Sequence, residues 1–436
     1  MEDIQATLIL IGVLVVLLGS GVWIGLGLIG VAVSAMWLFT TRPAGDAMAT
    51  TIFGAASSWT LTALPLFIWM GEILFRTRLS EDMFRGLAPW MTRLPGRLVH
   101  TNIIGCAIFA AISGSSAATC ATIGKMTIPE LKGRGYPDAL ALGSLAGSGT
   151  LGLLIPPSII MIVYGVAAEV SIAKLFIAGI LPGIMLAGLF MAYVAVWSLL
   201  HPRAIPPADT RASFGQKLWA SRQLIPVIGL IAVVLGSIYT GLATATESAA
   251  LGVVGALVLS RAQGSLDWKT LGDSIMGATR TSAMIALILA GSAFLSLAMG
   301  FTGLPRHLAE WIASLNLSPA ALIAALTLFF ILLGCFIDGI SMVVLTIAIL
   351  LPVVQQAGFD LIWFGIFVVL VVEMAQITPP VGFNLFVLQG MTGRSIFYIG
   401  RVALPFFLLM VVAVAATYLF PEIVTWLPSQ MARRAG

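Results

Sequence analysis

Oxygen-bearing and helix-breaking residues cluster at four places in a chain otherwise made of apolar runs. Ser113-Gly114-Ser115-Ser116 separates two short apolar stretches, and Asp338-Gly339-Ile340-Ser341 separates another two. Ile155-Pro156-Pro157-Ser158 and Thr378-Pro379-Pro380 each interrupt a longer run, with Asn384 shortly beyond the second. Glycine and proline break the helical ladder and leave backbone carbonyls without intrahelical donors. Those oxygens, joined by hydroxyls, can replace the water shell of a hard cation such as sodium. Half-helix N-termini carry partial positive charge and can face a carboxylate.

Grouped by position, Ser113 and Ser115, with Ser116, Thr150 and Pro156, form one candidate ion site. Asp338, Gly339, Ser341, Thr378 and Pro379 form a second, and Ser116, Ser158 and Asn384 are the candidate substrate contacts. Plainer readings compete with these. Serines also serve helix packing, as the glycines of Gly143-x-x-x-Gly147 do. Asp338 is either a costly, functional intramembrane carboxylate or a cap at the tip of its segment. Asn384 suits packing or backbone capping as well as substrate contact, and Thr246-Glu247 reads equally as a helix cap.

The elements that must position these residues are membrane spans. Of 436 residues 59% are hydrophobic and 9% charged, with a mean hydropathy of +1.06, too little charge to cover a soluble surface. Apolar runs of about 20 residues, the length that crosses a bilayer, recur throughout. The acidic start Met1-Glu2-Asp3 is unlike a cleavable signal, so the first run is expected to be retained. Cys106, Cys120 and Cys335 lie in apolar context without metal spacing and read as small buried residues.

The pattern predicts two halves. Residues 1–200 contain two short helices split at Gly19-Ser20-Gly21, a span over 57–75, an Arg-rich interfacial segment 76–97, a re-entrant hairpin 98–129, a broken helix 139–168 and a span 172–200. A polar cytoplasmic linker covers 201–223. Residues 224–436 repeat the plan, with spans near 224–241, 247–260 and 282–300, an interfacial segment 304–316, a hairpin 318–352, a broken helix 361–390 and a last helix ending near 420. At an offset of 223, Pro129, Gly135, Tyr136, Pro156, Pro157 and Pro182 land on Pro352, Gly358, Phe359, Pro379, Pro380 and Pro405. With only 21 prolines in the chain, four Pro–Pro matches at one offset mark an internal duplication.

Arg76, Arg78, Arg85, Arg93, Arg97, Lys125, Lys132 and Arg134 surround the first hairpin, whereas the second has only Arg306. The base-rich side is expected to be cytoplasmic. That leaves 5 of the 22 Lys+Arg outside (Arg42, Lys174, Arg306, Arg433 and Arg434), puts both termini in the periplasm and makes the halves inverted copies, as in alternating-access transporters. The expected fold is an all-α polytopic membrane protein of two inverted-topology repeats, each with a re-entrant hairpin and a broken helix.

Other motifs fail on context. Gly25-x-Gly27-x-x-Gly30 matches the dinucleotide fingerprint but lies inside an apolar span with no strand before it. Gly124-Lys125-Met126-Thr127 lacks phosphate-loop spacing. His100, His201 and His307 are far apart and read as interfacial, and no hydrolase motif is present. Trp59, Trp90, Trp219, Trp268 and Trp311 fall near span ends, as an aromatic belt would. No enzyme, organic cofactor or nucleic-acid partner is expected.

Along essentially its whole length the chain resembles the large membrane (permease) subunit of the tripartite ATP-independent periplasmic (TRAP) transporters. The stretches that carry the resemblance are Ala63-Leu-Pro65-Leu-Phe67 through Gly71-Glu72, Ile112-Ser-Gly-Ser-Ser116-Ala-Ala-Thr119, Ile155-Pro-Pro-Ser158, Thr246-Glu-Ser-Ala-Ala250, Thr279-Arg-Thr-Ser-Ala-Met284 and Thr378-Pro-Pro-Val-Gly-Phe-Asn384. The resemblance implies a sodium-driven elevator-type carrier of the bacterial inner membrane, with Na+ held where hairpins meet broken helices. It also implies a separate small membrane subunit and a periplasmic substrate-binding protein that delivers a small organic anion. Where many relatives have an acidic residue just after the first tip, this chain has Ala117-Ala118-Thr119-Cys120. A stand-alone sodium/dicarboxylate symporter is the nearest alternative. An intramembrane enzyme would need clustered catalytic groups, and a purely structural subunit would not need two duplicated polar tips.

Overall fold

The computed structural model describes residues 2–77, 79–207, 213–315, 317–380 and 382–434. Arg78, linker residues 208–212, Asn316, Val381 of the second Pro-Pro stretch, and the chain ends Met1, Ala435 and Gly436 lie outside the described residues. The side chains of Arg433 and Arg434, used in the charge count, do so as well.

Among the described residues every regular element is helical. The first half runs α1 (Glu2–Gly19), α2 (Ile24–Phe39), α3 (Ala44–Ala56), α4 (Ala63–Phe75), α5 (Leu79–Met91), α6 (His100–Ser113), α7 (Ser116–Gly133), α8 (Asp138–Gly149), α9 (Leu151–Leu154), α10 (Ile159–Ala167) and α11 (Ile172–Leu200). The linker contains α12 (Phe214–Ser221). The second half runs α13 (Ile225–Tyr239), α14 (Ala245–Ala262), α15 (Trp268–Thr302), α16 (Leu304–Ser314), α17 (Pro319–Gly334), α18 (Gly339–Gln356), α19 (Leu361–Gln376), α20 (Phe383–Thr392), α21 (Ile396–Leu419) and α22 (Glu422–Arg434). Among the described residues, five helices (α11, α14, α15, α18 and α21) are long and apolar enough to cross a membrane, and up to 8 spans result if each of three bent pairs counts as one. The chain is a polytopic membrane protein.

Several boundaries differ from expectation. The span over 57–75 is the second arm of a bent pair that starts at α3 and turns by 52°; Ser57 and Ser58 interrupt the helix between the arms. The span near 282–300 extends back to Trp268, because Asp267 caps α15 by accepting from the Thr270 N–H at 2.6 Å. At 35 residues α15 is about 52 Å long, so it crosses tilted or projects from the bilayer. The chain does not end its helical course near 420, since α22 follows. His100 is buried within the protein, its Nε2 2.5 Å from the Pro95 carbonyl oxygen. Thr246 does not cap α14; Thr244 does, in a reciprocal box with Glu247.

The duplication is visible in backbone geometry. Gly135 and Gly358 both have left-handed φ, +79° and +78°. Behind them Tyr136 N–H donates to the Leu131 carbonyl (2.9 Å) and Phe359 N–H to the Val354 carbonyl (3.1 Å), so α7 and α18 end in the same glycine-dependent motif at the same offset. The Pro156–Pro157 and Pro379–Pro380 bonds are both cis.

Small residues set the closest helix contacts. A Cβ on Gly291 of α15 would lie 2.5 Å from the Gly25 carbonyl oxygen of α2, so Gly25 serves close packing between those helices. Gly143 and Gly147 of α8 abut Val402 and Phe406 of α21 in the same way. The amphipathic α5 lies against α12, with Trp90 Nε1 donating to Ser221 Oγ at 2.8 Å. Of the tryptophans expected in a belt, Trp59, Trp219, Trp268 and Trp311 are outward, Trp268 being 89% exposed and Trp59 75%, whereas Trp90 packs on α12.

Candidate functional site

The first tip is the break between α6 and α7. Gly114 turns the chain with φ +60°, and a Cβ there would meet the Pro157 carbonyl oxygen at 2.9 Å, so the position needs glycine. Ser115 then caps α7, its hydroxyl accepting from the Ala118 N–H at 3.4 Å. Ser113 Oγ lies 2.7 Å from Thr119 Oγ1 and 3.3 Å from the Ser115 carbonyl oxygen. The Gly114 carbonyl accepts from the Ile159 N–H at 3.3 Å, which ties the tip to the start of α10. Ser158 caps α10 through the Met161 N–H at 3.3 Å, and Pro156 is buried beside it. Gly152 closes the other side: a Cβ there would be 2.5 Å from the Ser115 carbonyl oxygen. Ser113, Ser115, Pro156 and Ser158 therefore gather at one junction. Thr150 is buried, and its hydroxyl donates to the Gly147 carbonyl at 2.8 Å.

The second tip, between α17 and α18, is built on the same plan. Asp338, 223 positions after Ser115, caps α18: its Oδ2 accepts from the N–H groups of Ile340 (3.0 Å) and Ser341 (3.2 Å), and Ser341 Oγ donates to Oδ1. The capping role is present in full, and the carboxylate is half-buried. Cys335 Sγ lies 3.4 Å from both the Ile331 and the Pro379 carbonyl oxygens, and the second contact joins this tip to the second broken helix. Thr378 Oγ1 donates to the Met374 carbonyl at 2.7 Å, so its hydrogen is used and its oxygen lone pairs remain. Pro379 packs on Gly400.

The two tips converge on one carboxamide. Ser116 Oγ donates to Gln376 Oε1 at 3.4 Å, and a Cβ on Gly339 would lie 3.2 Å from Gln376 Nε2. Ser116 and Gly339 are the first residues of α7 and α18 and are themselves 223 apart. Nearby, fully buried Asn384 donates from Nδ2 to the Ala146 carbonyl at 3.3 Å, while its Oδ1 has no partner. That oxygen is an unspent acceptor at the seam between the first hairpin and the second broken helix.

Hydrogen bonds between membrane helices contribute about 0.6 kcal/mol on average, so the long Ser116–Gln376 bond cannot by itself hold the tips. Backbone closeness at Gly114, Gly152 and Gly339 does so, and the carboxamide sets the polarity between them. Gln376→Leu keeps the volume but strands the Ser116 hydroxyl, a cost of about 1–3 kcal/mol. We expect it to slow transport about tenfold or more at unchanged membrane abundance. Normal uptake by this variant would show that the carboxamide is only packing.

Gln376 and Thr119 touch the candidate residues, and Glu373 is buried one helical turn before Gln376; motif reasoning passed over all three. Gln376 and Thr119 carry no signal until the tips are folded together. Glu373, a carboxylate inside an apolar run, was open to the argument applied to Asp338. Two grooves lie elsewhere and are mostly apolar. One, of about 590 Å³, separates the α3–α4 elbow from α15; the other, of about 660 Å³, lies between α5 and the α12–α13 elbow.

Comparison with known proteins agrees with this architecture. The sequence model of the family described as "Tripartite ATP-independent periplasmic transporter, DctM component" matches residues 11–423. The C4-dicarboxylate TRAP transporter large permease protein DctM of Rhodobacter capsulatus is 31% identical, over 98% of this chain and 99% of that one. The isethionate TRAP transporter permease protein DctMQ of Oleidesulfovibrio alaskensis is 32% identical over 95% of this chain and 65% of its own length. The solved YdaH transporter of Alcanivorax borkumensis, described as having an unusual topology, shares the fold with a TM-score of 0.57 at 14% identity, over 87% of each chain. The paired tips, the duplicated broken helices and a match over nearly the full length lead to one assignment: this chain belongs to the DctM family of tripartite ATP-independent periplasmic transporter components.

Proposed function

We propose that this chain is the transporting subunit of a sodium-coupled importer for a small organic anion, working in the bacterial inner membrane with a small membrane subunit and a periplasmic binding protein. The observation that carries the reading is the meeting of two duplicated hairpin tips at Gln376, each capped at the equivalent position by Ser115 or Asp338. Two oxygen-rich backbone breaks related by a repeat suit two ion sites that are alternately accessible when the repeats are inverted. In this reading, Ser113, Ser115, Ser116, Thr150 and Pro156 serve one sodium ion. Asp338, Gly339, Ser341, Thr378 and Pro379 serve the other, and Ser116, Ser158 and Asn384 meet substrate. The half-helix N-termini at α7, α10, α18 and α20 supply positive potential for a carboxylate.

The transported anion is best sought among carboxylates such as C4-dicarboxylates and sugar acids. Relatives named for C4-dicarboxylate, isethionate and sialic acid support an anionic cargo. The block of hairpins and broken helices moves against a scaffold of α1–α4 and α13–α15, with the amphipathic α5 and α16 as connecting arms. Both termini lie in the periplasm.

The test is uptake of a labelled organic-acid panel into proteoliposomes that contain this chain and its small subunit, with and without a sodium gradient and the binding protein. Uptake is expected only when both are supplied. Sodium-driven uptake without the binding protein would replace this reading by the stand-alone symporter, and sodium-independent uptake would remove the coupling.

A further inference from the structure

α5 and α12 pack side by side, and with α13 they border the apolar groove of about 660 Å³. Leu87, Trp90 and Met91 line one wall, and Leu224, Ile225 and Ile228 line the other. Ser221 marks the elbow between them, where α12 turns into α13 through 55°. The groove faces outward: Ile225 and Ile228 are exposed, as are Phe214, Leu218 and Trp219 along α12. On a protein that lives in a bilayer, an outward apolar face of this kind meets lipid.

Basic residues stand at the α12 end of this groove. Lys217 lies one turn before Ser221, whose hydroxyl donates to the Lys217 carbonyl at 2.9 Å. Its side chain crosses to α5, with Nζ 5.7 Å from the centre of the Trp90 ring, and the residue is only 5% exposed. Trp90 is itself held by Ser221, and both residues line the groove, so the ammonium sits against its wall. Arg222 stands in the elbow with its guanidinium 4.8 Å from the Trp219 ring, and exposed Arg93 follows α5. Among the described residues no carboxylate pairs with Lys217, Arg222 or Arg93. Asp82, on α5, lies two turns before Trp90. A ring face offers no lone pair, and none of the three Lys217 N–H donors finds an acceptor among the described residues. A nearly buried ammonium in that position calls for an anion beside it.

We propose that this groove binds one anionic phospholipid, with an acyl chain along Ile225 and Ile228 and the phosphate held by Lys217 and Arg222. Charge complementarity selects the headgroup, since each basic residue at the interface favours an anionic lipid over a neutral one. Shape selects a single chain over a helix of a partner protein. A helix about 10 Å across takes roughly 120 Å³ per residue, so the groove would hold only about one and a half turns. The tryptophans set the depth, because indole rings sit at headgroup level and Trp90 and Trp219 stand beside the two cations. The site does not depend on the transport reading above. In that reading the lipid stands between the connecting arm α5 and the scaffold helix α13.

The test counts lipid retained by the full chain in mild detergent, using native mass spectrometry. Phosphatidylglycerol and phosphatidylcholine with identical acyl chains are offered together. The wild type is expected to retain one phosphatidylglycerol, preferred over phosphatidylcholine by about tenfold or more. Lys217→Gln combined with Arg222→Gln should abolish the preference. Arg222→Gln alone should lower it severalfold, and it decides if the double variant is not monodisperse. Gly229→Trp fills the groove from a lining position with open space beyond its Cβ, and should lose the retained phosphatidylglycerol. Gly188→Trp, on α11 with equally open space, should keep it, as should Arg401→Gln on α21, which packs on α8 and α19 instead. Equal retention of the two lipids by the wild type would overturn the site. So would a Gly229→Trp protein that still holds its phosphatidylglycerol, or an Arg401→Gln loss as large as that of Arg222→Gln. Displacement of the lipid by the small membrane subunit would assign the groove to that subunit and overturn the proposal.

Discussion

Asp338→Asn is expected to leave the protein folded while weakening the sodium dependence of uptake by about tenfold or more. Asn caps a helix about as well as Asp, so the N–H groups of Ile340 and Ser341 keep an acceptor and α18 keeps its start. What the substitution removes is the charge, which in a half-buried site is the strongest oxygen ligand a sodium ion can find. Asp338→Ala removes both and should also cost about 1 kcal/mol of stability from the lost cap. The pair therefore separates two roles that one carboxylate combines. Uptake at graded external sodium, with thermal stability in detergent measured beside it, checks them. If the Asn variant kept wild-type sodium dependence, Asp338 would be a cap and nothing more.

Gly152→Ala should abolish most transport without removing the protein from the membrane. The added Cβ would sit 2.5 Å from the Ser115 carbonyl oxygen and 2.7 Å from Thr119 Oγ1, with backbone rather than a flexible side-chain end in its way. Overpacking of this kind costs about 1–3 kcal/mol, and the tip must move to relieve it. That displaces the Ser115 carbonyl together with the hydroxyl cluster of Ser113 and Thr119, so a loss of about tenfold or more in uptake follows. Gly188→Ala on α11 is the control, because nothing lies within 4 Å of its Cβ. There, alanine should raise helix stability slightly and leave uptake unchanged. Equal uptake by both variants would mean that close approach of α9 to the first tip is not required.

Much of the architecture was legible because each feature has a local cause. Gly114 and Asp338 end one helix and start the next through backbone conformation and capping, which neighbouring residues dictate. The Pro-Pro pairs break helices wherever they occur. The bend between α3 and α4 was not legible, since residues 44–56 mix small and polar side chains and gain their helix from contact with α15. α22 was missed because its sequence is amphipathic and contains Pro428, without the apolar run that marks a span.

For the site itself, the sequence determined which residues stand at the breaks and that they occur twice, because proline, glycine and capping residues act over three or four positions. It also determined membrane residence, since so little charge cannot cover a soluble surface. Only the tertiary structure decided that Ser116 and Gly339 meet at one glutamine, and that Asn384 reaches back to Ala146 of the first broken helix. Those contacts depend on how two copies of one motif are packed against each other. Such packing is decided by close approach at glycines and by burial summed over many helices, which no local pattern encodes.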